Sequence, residues 1–343
     1  MKILLGISGG LDSAFAAVKL IEEGHQVEGA VLIMHGYTEI DAAEEVARSV
    51  GIKLHKINCE DSFEKCVVTD FIDSYTNGKT PNPCIVCNSD VKFRKLYDYA
   101  MENGFDRIAT GHYANVVSVE SAEGVRYAIK RSMDDKKDQT YMLWRLPQEI
   151  LSKLVFPLFD QNKVSVREKA REIGLVAADR AESQEICFIP DSDHARYIEE
   201  RVGKSPSGNF IDEDGKILGE HKGIIRYTVG QRKGLGIALG QRVFVTNIDA
   251  KNNTVTLSKE DKTSDVLEVC GMVFSGISEP KKGEILELTA KVRYLSPMVL
   301  STLEYLGNGC AKVHLSIPQR AVTPGQSAVF YVDSVLVAGG FIN

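Results

Sequence analysis

The sequence has no apolar run of about 18 residues, the length that a membrane-spanning helix needs, so no membrane segment is expected. It also lacks a net positive charge: its formal charge is −6 at pH 7, so any nucleic-acid surface has to be local. The first residues enter a strand-like segment without the pattern of a secretory signal, which predicts a cytoplasmic protein. The 43% hydrophobic and 26% charged residues are typical of a soluble globular chain.

A disulfide framework is not expected either. The chain has seven cysteines, and an odd number without an export signal argues against structural disulfides. Four of them are expected to act as small hydrophobic side chains, namely Cys59, Cys66, Cys270 and Cys310. Thiol, persulfide or metal chemistry better explains the other three, which lie in polar or Pro/Asn-rich segments: Cys84, Cys87 and Cys187.

Strand and helix patterns alternate over the first part of the chain. The apolar run Lys2–Ile7 fits a parallel strand buried on both faces. Apolar residues then recur with the spacing of one helix face, at Ala14, Ala17, Val18 and Ile21. The segments VEGAVLIM, IKLHKIN and FDRIATG are predicted to be further strands. The pattern therefore predicts an α/β domain with a doubly wound parallel sheet over residues 1–203.

Two smaller domains are predicted after this sheet. Residues 204–265 begin with a segment rich in Gly, Pro and turn-forming residues, which indicates a linker or a small irregular domain. Further on, short alternating strands are separated by turn signals such as Asn252-Asn253 and Gly307-Asn308-Gly309. These predict a C-terminal antiparallel β-barrel, placed at residues 266–343.

The segment SGGLDS, Ser8–Ser13, joins the first predicted strand to the first helix. Its two glycines let the backbone approach an anion closely, and the start of a helix favours phosphate. The segment lacks the lysine of a Walker A loop and does not match the dinucleotide pattern G-x-G-x-x-G. A glycine turn with an Asp/Ser cap is the simpler interpretation, but the strand–loop–helix context favours a phosphate site.

Cys84 and Cys87 form a C-x-x-C motif just before a helix whose apolar face includes Phe93 and Leu96. Cys87 is placed at the N-terminus of that helix, where its pKa is expected to be lowered. Cys187 follows a polar stretch about a hundred residues later.

Six segments resemble, in order and over essentially the whole chain, the tRNA-specific 2-thiouridylases: SGGLDS, TPNPCIVCNSDVKF, ATGHYA, KKDQTYML, SQEICFI and YTVGQRKGLGI. The first resembles the pyrophosphate loop (PP-loop) of the ATP pyrophosphatases, which split ATP into AMP and pyrophosphate to adenylate a carbonyl oxygen. The resemblance implies a PP-loop fold and a tRNA-uridine 2-sulfurtransferase activity.

The resemblance also implies roles for single residues. ATP and Mg²⁺ would be the cofactors, with Met34 and Gly111 near the adenosine and the ATP phosphates held by Gly6, Ile7, Ser8, Gly9, Gly10, Leu11, Asp12 and Ser13. ATP would adenylate O2 of the wobble uridine, position 34, because AMP leaves far more readily than oxide. A persulfide on Cys187, loaded by a cysteine desulfurase or sulfur carrier, would deliver sulfur to C2. Cys87 would attack that persulfide and leave a Cys87–Cys187 disulfide.

The implied tRNA contacts are spread over the chain. They comprise Asn82, Pro83, His112, Lys137, Asp138, Gln139, Arg293, Tyr294 and Gln326. His112 has a second interpretation as a core histidine, although its place after a strand end and beside a glycine favours the site.

Cys84 departs from the family pattern, which usually has Asp here in a general acid/base role. A thiol with an ordinary pKa of about 8.5 is mostly neutral at pH 7 and cannot simply take over that role. A C-x-x-C motif plus a distant cysteine is also a natural ligand set for an iron–sulfur cluster with one open iron. Binding of [4Fe–4S] by Cys84, Cys87 and Cys187 therefore stands beside the persulfide–disulfide route as an equal alternative.

A local excess of positive charge lies between residues 201 and 245, a segment that contains eight Lys or Arg residues and four Asp or Glu residues. Such a patch can pair with RNA phosphates, and Arg232 and Lys233 are the predicted contacts. A solvated turn surface is the simpler interpretation of the same charges.

Two rival functions remain: a synthetase that adenylates a small molecule, and a non-catalytic tRNA-binding or redox-sensing protein. Neither uses all of the motifs.

Overall fold

The computed structural model describes residues 1–121, 124–180 and 186–343. The described strands, in chain order, are β1 (Lys2–Gly6), β2 (Gln26–Ile33), β3 (Leu54–Asn58), β4 (Arg107–Ala109), β5 (Ala114–Ser121), β6 (Gly124–Arg131), β7 (Leu154–Val155), β8 (Gly208–Ile211), β9 (Ile217–His221), β10 (Phe244–Asp249), β11 (Thr254–Ser258), β12 (Thr263–Phe274), β13 (Ile285–Lys291), β14 (Val299–Gly307), β15 (Cys310–Arg320), β16 (Ser327–Val332) and β17 (Val335–Ile342).

Helices occupy mainly the first half of the chain. The α-helices are α1 (Leu11–Glu22), α2 (Ile40–Val50), α3 (Glu60–Phe63), α4 (Thr69–Thr76), α5 (Pro83–Val86), α6 (Phe93–Glu102), α7 (Gln148–Leu151), α8 (Lys163–Glu172) and α9 (His194–Val202). Two π-helical turns, Glu64–Val68 and Cys87–Lys92, and two 3₁₀ turns, Thr140–Met142 and Ile224–Arg226, complete the set. In the part of the chain that is described, no helix has both the length and the apolar character needed to cross a membrane.

The first region is built on a parallel five-stranded sheet with the order β3-β2-β1-β4-β7. Its central strand is buried on both faces, as its apolar sequence requires. Ile3 and Leu5 pack with α1 on one face, whereas Leu4 packs with α6 on the other. The predicted doubly wound α/β sheet is confirmed.

The middle region forms a four-stranded sheet with the order β10-β11-β8-β9. The Gly- and Pro-rich segment that begins it folds into the hairpin β8–β9, and β8 then pairs in parallel with β11. The turn at Asn252-Asn253 connects β10 to β11, with Asn253 in the left-handed conformation at φ 51°.

The C-terminal region is the predicted antiparallel barrel. Its strands follow the order β12-β15-β14-β13-β16-β17, and pairing of β12 with β17 closes the cylinder. Its interior is filled by alternating apolar residues such as Val269, Leu303, Val313 and Phe330.

A hairpin from the first region extends the barrel sheet. β5 and β6 pair along eight residues, and β6 then pairs with β17 at Val335 and Leu336. The alternating strand pattern of this hairpin lies between two site motifs and was not part of the sequence prediction.

The expectation for two cysteines is wrong. Cys270 and Cys310 are joined by a disulfide, with their Cα atoms 4.1 Å apart. They lie opposite each other on β12 and β15, one position beyond the Val269–Ala311 pair. Forty residues separate them in sequence, so only the strand register brings them together. Cys59 is buried as expected, whereas Cys66 is half-buried.

Candidate active site

The SGGLDS loop is ordered by its own hydroxyl groups. The amide of Ser8 donates to Ser13 Oγ at 3.2 Å, and Ser13 Oγ donates to the carbonyl of Gly10 at 3.0 Å. The Gly10 amide in turn donates to Ser8 Oγ at 3.3 Å. Helix α1 starts directly after Gly10 without a side-chain cap, so its first amide groups face the loop and can bind an anion.

Two glycines are required by the packing around this loop. Gly9 has φ 83°, and a Cβ there would lie 2.6 Å from Ala42 Cβ. A Cβ on Gly111 would lie 2.7 Å from the Asp12 carbonyl carbon and 2.8 Å from the Ser13 amide nitrogen. Gly111, which follows the end of β4, therefore packs directly against the backbone of the loop.

Asp12 is held by two side chains that the sequence prediction missed. Lys163 Nζ lies 2.6 Å from both carboxylate oxygens, and Tyr113 Oη donates to Oδ1 at 2.9 Å. Lys163 is buried at the start of α8, while Asp12 retains partial exposure toward the cleft. The pair places a cation beside the predicted phosphate site.

Arg180 ties the loop to the next helix. Its guanidinium donates to the carbonyl of Gly9 at 2.6 Å and to the carbonyl of Ala42 at 3.4 Å, and it also pairs with Glu45. The residues 181–185 that follow, including most of the motif SQEICFI before its cysteine, lie outside the described residues.

A cleft of about 950 Å³ opens over the carboxyl ends of β1, β2 and β4. It brings together many of the predicted site residues, namely Gly6, Ile7, Ser8, Asp12, Ser13, Met34, Gly111, His112, Gln139 and Cys187. Further lining residues were not predicted, among them His35, Thr38, Lys92 and Thr110. The nucleotide loop and one predicted sulfur carrier thus share one cavity.

Cys84 and Cys87 lie on one helical segment that begins earlier than predicted. Asn82 caps it by accepting from the Cys84 amide at 3.2 Å, and Pro83 occupies the first turn of α5. Cys87 therefore starts the second turn, and its amide is already bonded to the preceding turn. Cys84 is exposed, whereas Cys87 is buried with its Sγ 3.7 Å from Met34 Sδ.

The predicted lowering of the Cys87 pKa is wrong. Burial raises the pKa of Cys87 to about 12, and the charge of Lys92 only partly opposes this effect. The helix dipole cannot act as expected, because the helix starts at Pro83 and Cys87 is no longer at its N-terminus. Desolvation by the surrounding cleft wall also raises the pKa of Cys187, although the side chain is exposed at the surface, and Lys92 again opposes the effect.

His112 lies at the inner end of the cleft as a neutral side chain. Burial, assisted by the charge of Lys92, lowers its pKa to about 3. Its Nδ1 is 2.7 Å from Thr110 Oγ1, and its ring packs beside Phe93 and Phe156. His112 is therefore both a buried core histidine and a residue that lines the cleft.

Other predicted tRNA contacts sit where the barrel meets the first region. Gln139 Oε1 accepts from the Tyr113 amide at 3.0 Å. The buried carboxylate of Asp138 accepts from Arg131 Nε at 3.1 Å and from the Thr140 amide at 3.2 Å. Lys137 is half-buried beside them.

The barrel contributes three more of the predicted residues, none of which lines the cleft. The ring of Tyr294 lies 6.1 Å from the ring of Tyr141, and Arg293 is half-buried beside it. Gln326 Nε2 donates to the carbonyl of Thr80 at 2.8 Å, just before the cysteine helix. The barrel thus contacts the segment that carries Cys84 and Cys87.

The predicted basic patch is partly neutralised. Arg226 pairs with Glu199 at 2.7 Å, and Arg201 lies 3.9 Å from Glu64. Arg232 and Lys233 are exposed on the loop after Thr228, and they lie outside the cleft.

The predicted cluster ligands do not form a metal site. Within residues 1–121, 124–180 and 186–343, no group of three His, Cys, Asp or Glu side chains is close enough to hold a metal ion. Three thiols are chemically suitable ligands for iron. Their arrangement among the described residues does not fit a cluster.

The parallel sheet, the glycine loop and the cleft at the strand ends define a nucleotide-binding α/β enzyme of the PP-loop ATP pyrophosphatase type. Three family models match: a tRNA methyl transferase HUP domain over residues 1–191, a tRNA methyl transferase PRC-barrel domain over 195–259, and an aminomethyltransferase β-barrel domain over 270–342.

Curated relatives match over the full length. The tRNA-specific 2-thiouridylase MnmA of Acetivibrio thermocellus is 43% identical, covering 100% of this chain and 99% of the relative. The protein of the same name from Clostridium acetobutylicum is 44% identical with the same coverage. The chain belongs to the tRNA-specific 2-thiouridylase family of enzymes.

Solved structures resemble the chain more distantly. An NMN synthetase from Francisella tularensis is 15% identical with a TM-score of 0.33, covering 53% of this chain and 66% of that one. A 4-thiouridine synthetase–RNA complex with bound ATP is 19% identical with a TM-score of 0.34, covering 59% and 50%.

Proposed function

We propose that the protein catalyses ATP-dependent 2-thiolation of the wobble uridine of tRNA, in the cytoplasm. One observation carries this proposal: Cys187 lines the same cleft as the Ser8–Ser13 loop, and Cys87 contacts Met34 at its edge. A nucleotide and a reactive sulfur can therefore meet at one substrate atom.

ATP is bound by the glycine loop. The amides at the start of α1 hold phosphate oxygens, and Lys163 adds positive charge beside Asp12. Mg²⁺ takes oxygen ligands and commonly uses one or two carboxylates together with substrate phosphates, so Asp12 is the candidate ligand. Attack of uridine O2 on the α-phosphate releases pyrophosphate and turns O2 into part of a good leaving group.

Sulfur then comes from a persulfide on Cys187, which is exposed and can be loaded by a persulfide-carrying donor protein. The Cys87 thiolate attacks Sγ of Cys187, so the persulfide S–S bond breaks and a Cys87–Cys187 disulfide forms. The released hydrosulfide attacks C2 of the uridine, and AMP leaves with the former O2. An external dithiol reduces the disulfide for the next turnover and is itself oxidised to a disulfide.

The tRNA is proposed to lie across the first region and the barrel. The target base must leave its stack to enter the cleft, which an anticodon loop permits at modest cost. Asn82 and Pro83 lie beside the cysteines, and Gln139 lines the cleft. Lys137 and Asp138 precede Thr140, whose hydroxyl bonds with that of Tyr331 in the barrel, and Arg293, Tyr294 and Gln326 belong to the barrel region. Arg232 and Lys233 extend the contact to the RNA backbone.

The decisive experiment is mass spectrometry of tRNA nucleosides from a strain that lacks the gene. We expect 2-thiouridine derivatives to disappear and to return with the wild-type gene, but not with Cys187→Ser. The matched control Cys66→Ser changes a half-buried thiol outside the cleft and should restore thiolation. Unchanged 2-thiouridine in the deletion strain would contradict the proposal.

The iron–sulfur alternative has its own test. Anaerobically purified protein should contain no stoichiometric iron and no broad visible absorption if the persulfide route operates. Stoichiometric iron that is lost when Cys84, Cys87 or Cys187 is replaced would support the cluster instead of the persulfide route.

A further inference from the structure

Lys92 is a cation in the cleft that the transfer steps above do not use. It lines the cavity together with Cys187 and His35, and it is only partly exposed. Among residues 1–121, 124–180 and 186–343, no side chain forms an ion pair or hydrogen bond with its ammonium group. A lysine in such a position normally has a carboxylate partner.

A change of helix type places Lys92 on the same side of the helix as Cys87. Residues Cys87–Lys92 form a π-helical turn between α5 and α6. In a π-helix residue i bonds with residue i+5, so Lys92 follows Cys87 by one turn and lies on the same side. In a regular α-helix a separation of five residues would turn the two side chains well away from each other.

The groups that act electrostatically on Lys92 are the cleft thiols. Burial lowers the pKa of Lys92, but the thiolate forms of Cys87, Cys84 and Cys187 outweigh this effect and leave the pKa above its usual value. The same cation lowers the pKa of the neighbouring imidazoles His35 and His112, after burial. Cys59 also acts electrostatically on Cys87, and Cys187 acts on Tyr197.

We propose that Lys92 is the counter-ion that stabilises anionic sulfur on Cys187 and Cys87 during sulfur transfer. The inference rests on the proposed sulfur transfer at Cys187. It assigns a positioning role, because Lys92 would act through its charge on the two sulfur atoms. The cleft needs such a charge, since burial disfavours the thiolate of Cys87, and desolvation by the cleft wall disfavours the thiolate of Cys187 although that side chain is exposed at the surface.

Charge-selective alkylation of the full chain, without ATP or tRNA, tests the inference directly. Iodoacetate is anionic and iodoacetamide is neutral, so a cation beside a thiol favours the former. We expect the ratio of the two rates at Cys187, followed by peptide mass spectrometry, to exceed that of free cysteine by about tenfold at low salt. The excess should shrink as salt screens the charge.

Two variants at one position separate charge from structure. Lys92→Gln should lower the ratio at Cys187 to that of free cysteine, whereas Lys92→Arg should keep it. Lys95→Gln is the matched control, because Lys95 lies three residues further on the same helix and acts on Cys59 instead. The salt dependence of the wild-type chain gives an answer even if a variant does not fold.

The outcomes are distinguishable from failure of the proposed function, because alkylation needs neither ATP nor tRNA. A wild-type ratio equal to that of free cysteine, at every salt concentration, overturns the inference. So does full 2-thiouridine formation in a strain that carries only Lys92→Gln. Loss of thiolation with Lys92→Gln and recovery with Lys92→Arg supports it.

Discussion

The two walls of the cleft differ in how many of their polar groups already form hydrogen bonds or ion pairs within the protein. The nucleotide wall consists of Gly6–Ser13 and Gly111. Hydrogen bonds to hydroxyl groups, close packing at the glycines and the guanidinium group of Arg180 hold its backbone in place. The sulfur wall consists of Cys84–Lys92 and Cys187. Here the thiols of Cys84 and Cys187 are exposed, and the ammonium group of Lys92 has no partner among the described residues. In the proposed reaction, the preformed wall binds the constant ligand ATP, whereas the open wall serves sulfur that arrives and leaves in each cycle.

The largest effect should come from disturbing the nucleotide wall itself. Gly111→Ala places a methyl group 2.7 Å from the Asp12 backbone, so the loop must move. A displacement of about 1 Å in a catalytic arrangement costs about 100-fold in rate, and we expect that loss in AMP formation. Gly36→Ala, whose Cβ meets nothing within 4 Å, should keep near wild-type AMP formation. Equal activity of both variants would show that the wall is not preformed.

A smaller effect is expected from loosening the wall. Arg180→Ala removes the donor to Gly9 and Ala42, and a charged hydrogen bond contributes about 1.5–3 kcal/mol. We expect the KM for ATP to rise about tenfold with a lesser change in kcat. Arg171→Ala removes an exposed pair with Asp179 and should leave the KM unchanged. An unchanged KM with Arg180→Ala would separate this residue from nucleotide binding.

The RNA surface outside both walls should respond more weakly. Arg232→Ala with Lys233→Ala should reduce tRNA affinity a few-fold and lower the salt slope by about two, one for each lost phosphate contact. Filter binding over a salt series measures both. The exposed pair Lys281 and Lys282, changed in the same way, is the control. Identical slopes would remove the loop from the interface.

The smallest effect concerns stability at the inner end of the cleft. The pKa of His112 is about 3 in the folded protein and about 6.5 in the unfolded chain, so the unfolded state binds the extra proton between these values. Stability is therefore lost as pH falls through 6.5. Between pH 7 and pH 5 the Tm of His112→Gln should fall about 2–4 °C less than that of the wild type. Parallel declines would mean that His112 is protonated in the folded protein.

Local sequence patterns were sufficient to predict the nucleotide wall. The strand Lys2–Gly6, the glycine turn and the start of α1 follow one another directly, so loop geometry depends on neighbours in the chain. The same holds for the barrel, where alternation and turn residues repeat along each hairpin.

Contacts between distant residues could not be predicted in this way. Lys163 reaches Asp12 across 151 positions, and Cys270 meets Cys310 through strand register. Lys92 lies within the segment TPNPCIVCNSDVKF, but only the π-helical turn reveals that its side chain shares one side of the helix with Cys87. The wrong expectation for Cys87 has a local cause, since Asn82 and Pro83 start the helix one turn earlier.

The hairpin β5–β6 has a consequence for dissecting the enzyme into parts. Because β17 is bonded on one side to β6 and on the other to β16, deletion of the barrel would strip the hairpin of its neighbour and expose an unpaired strand edge. A shortened protein that ends before residue 263 should therefore aggregate. The α/β region and the barrel are therefore expected to fold as one unit rather than as separable parts.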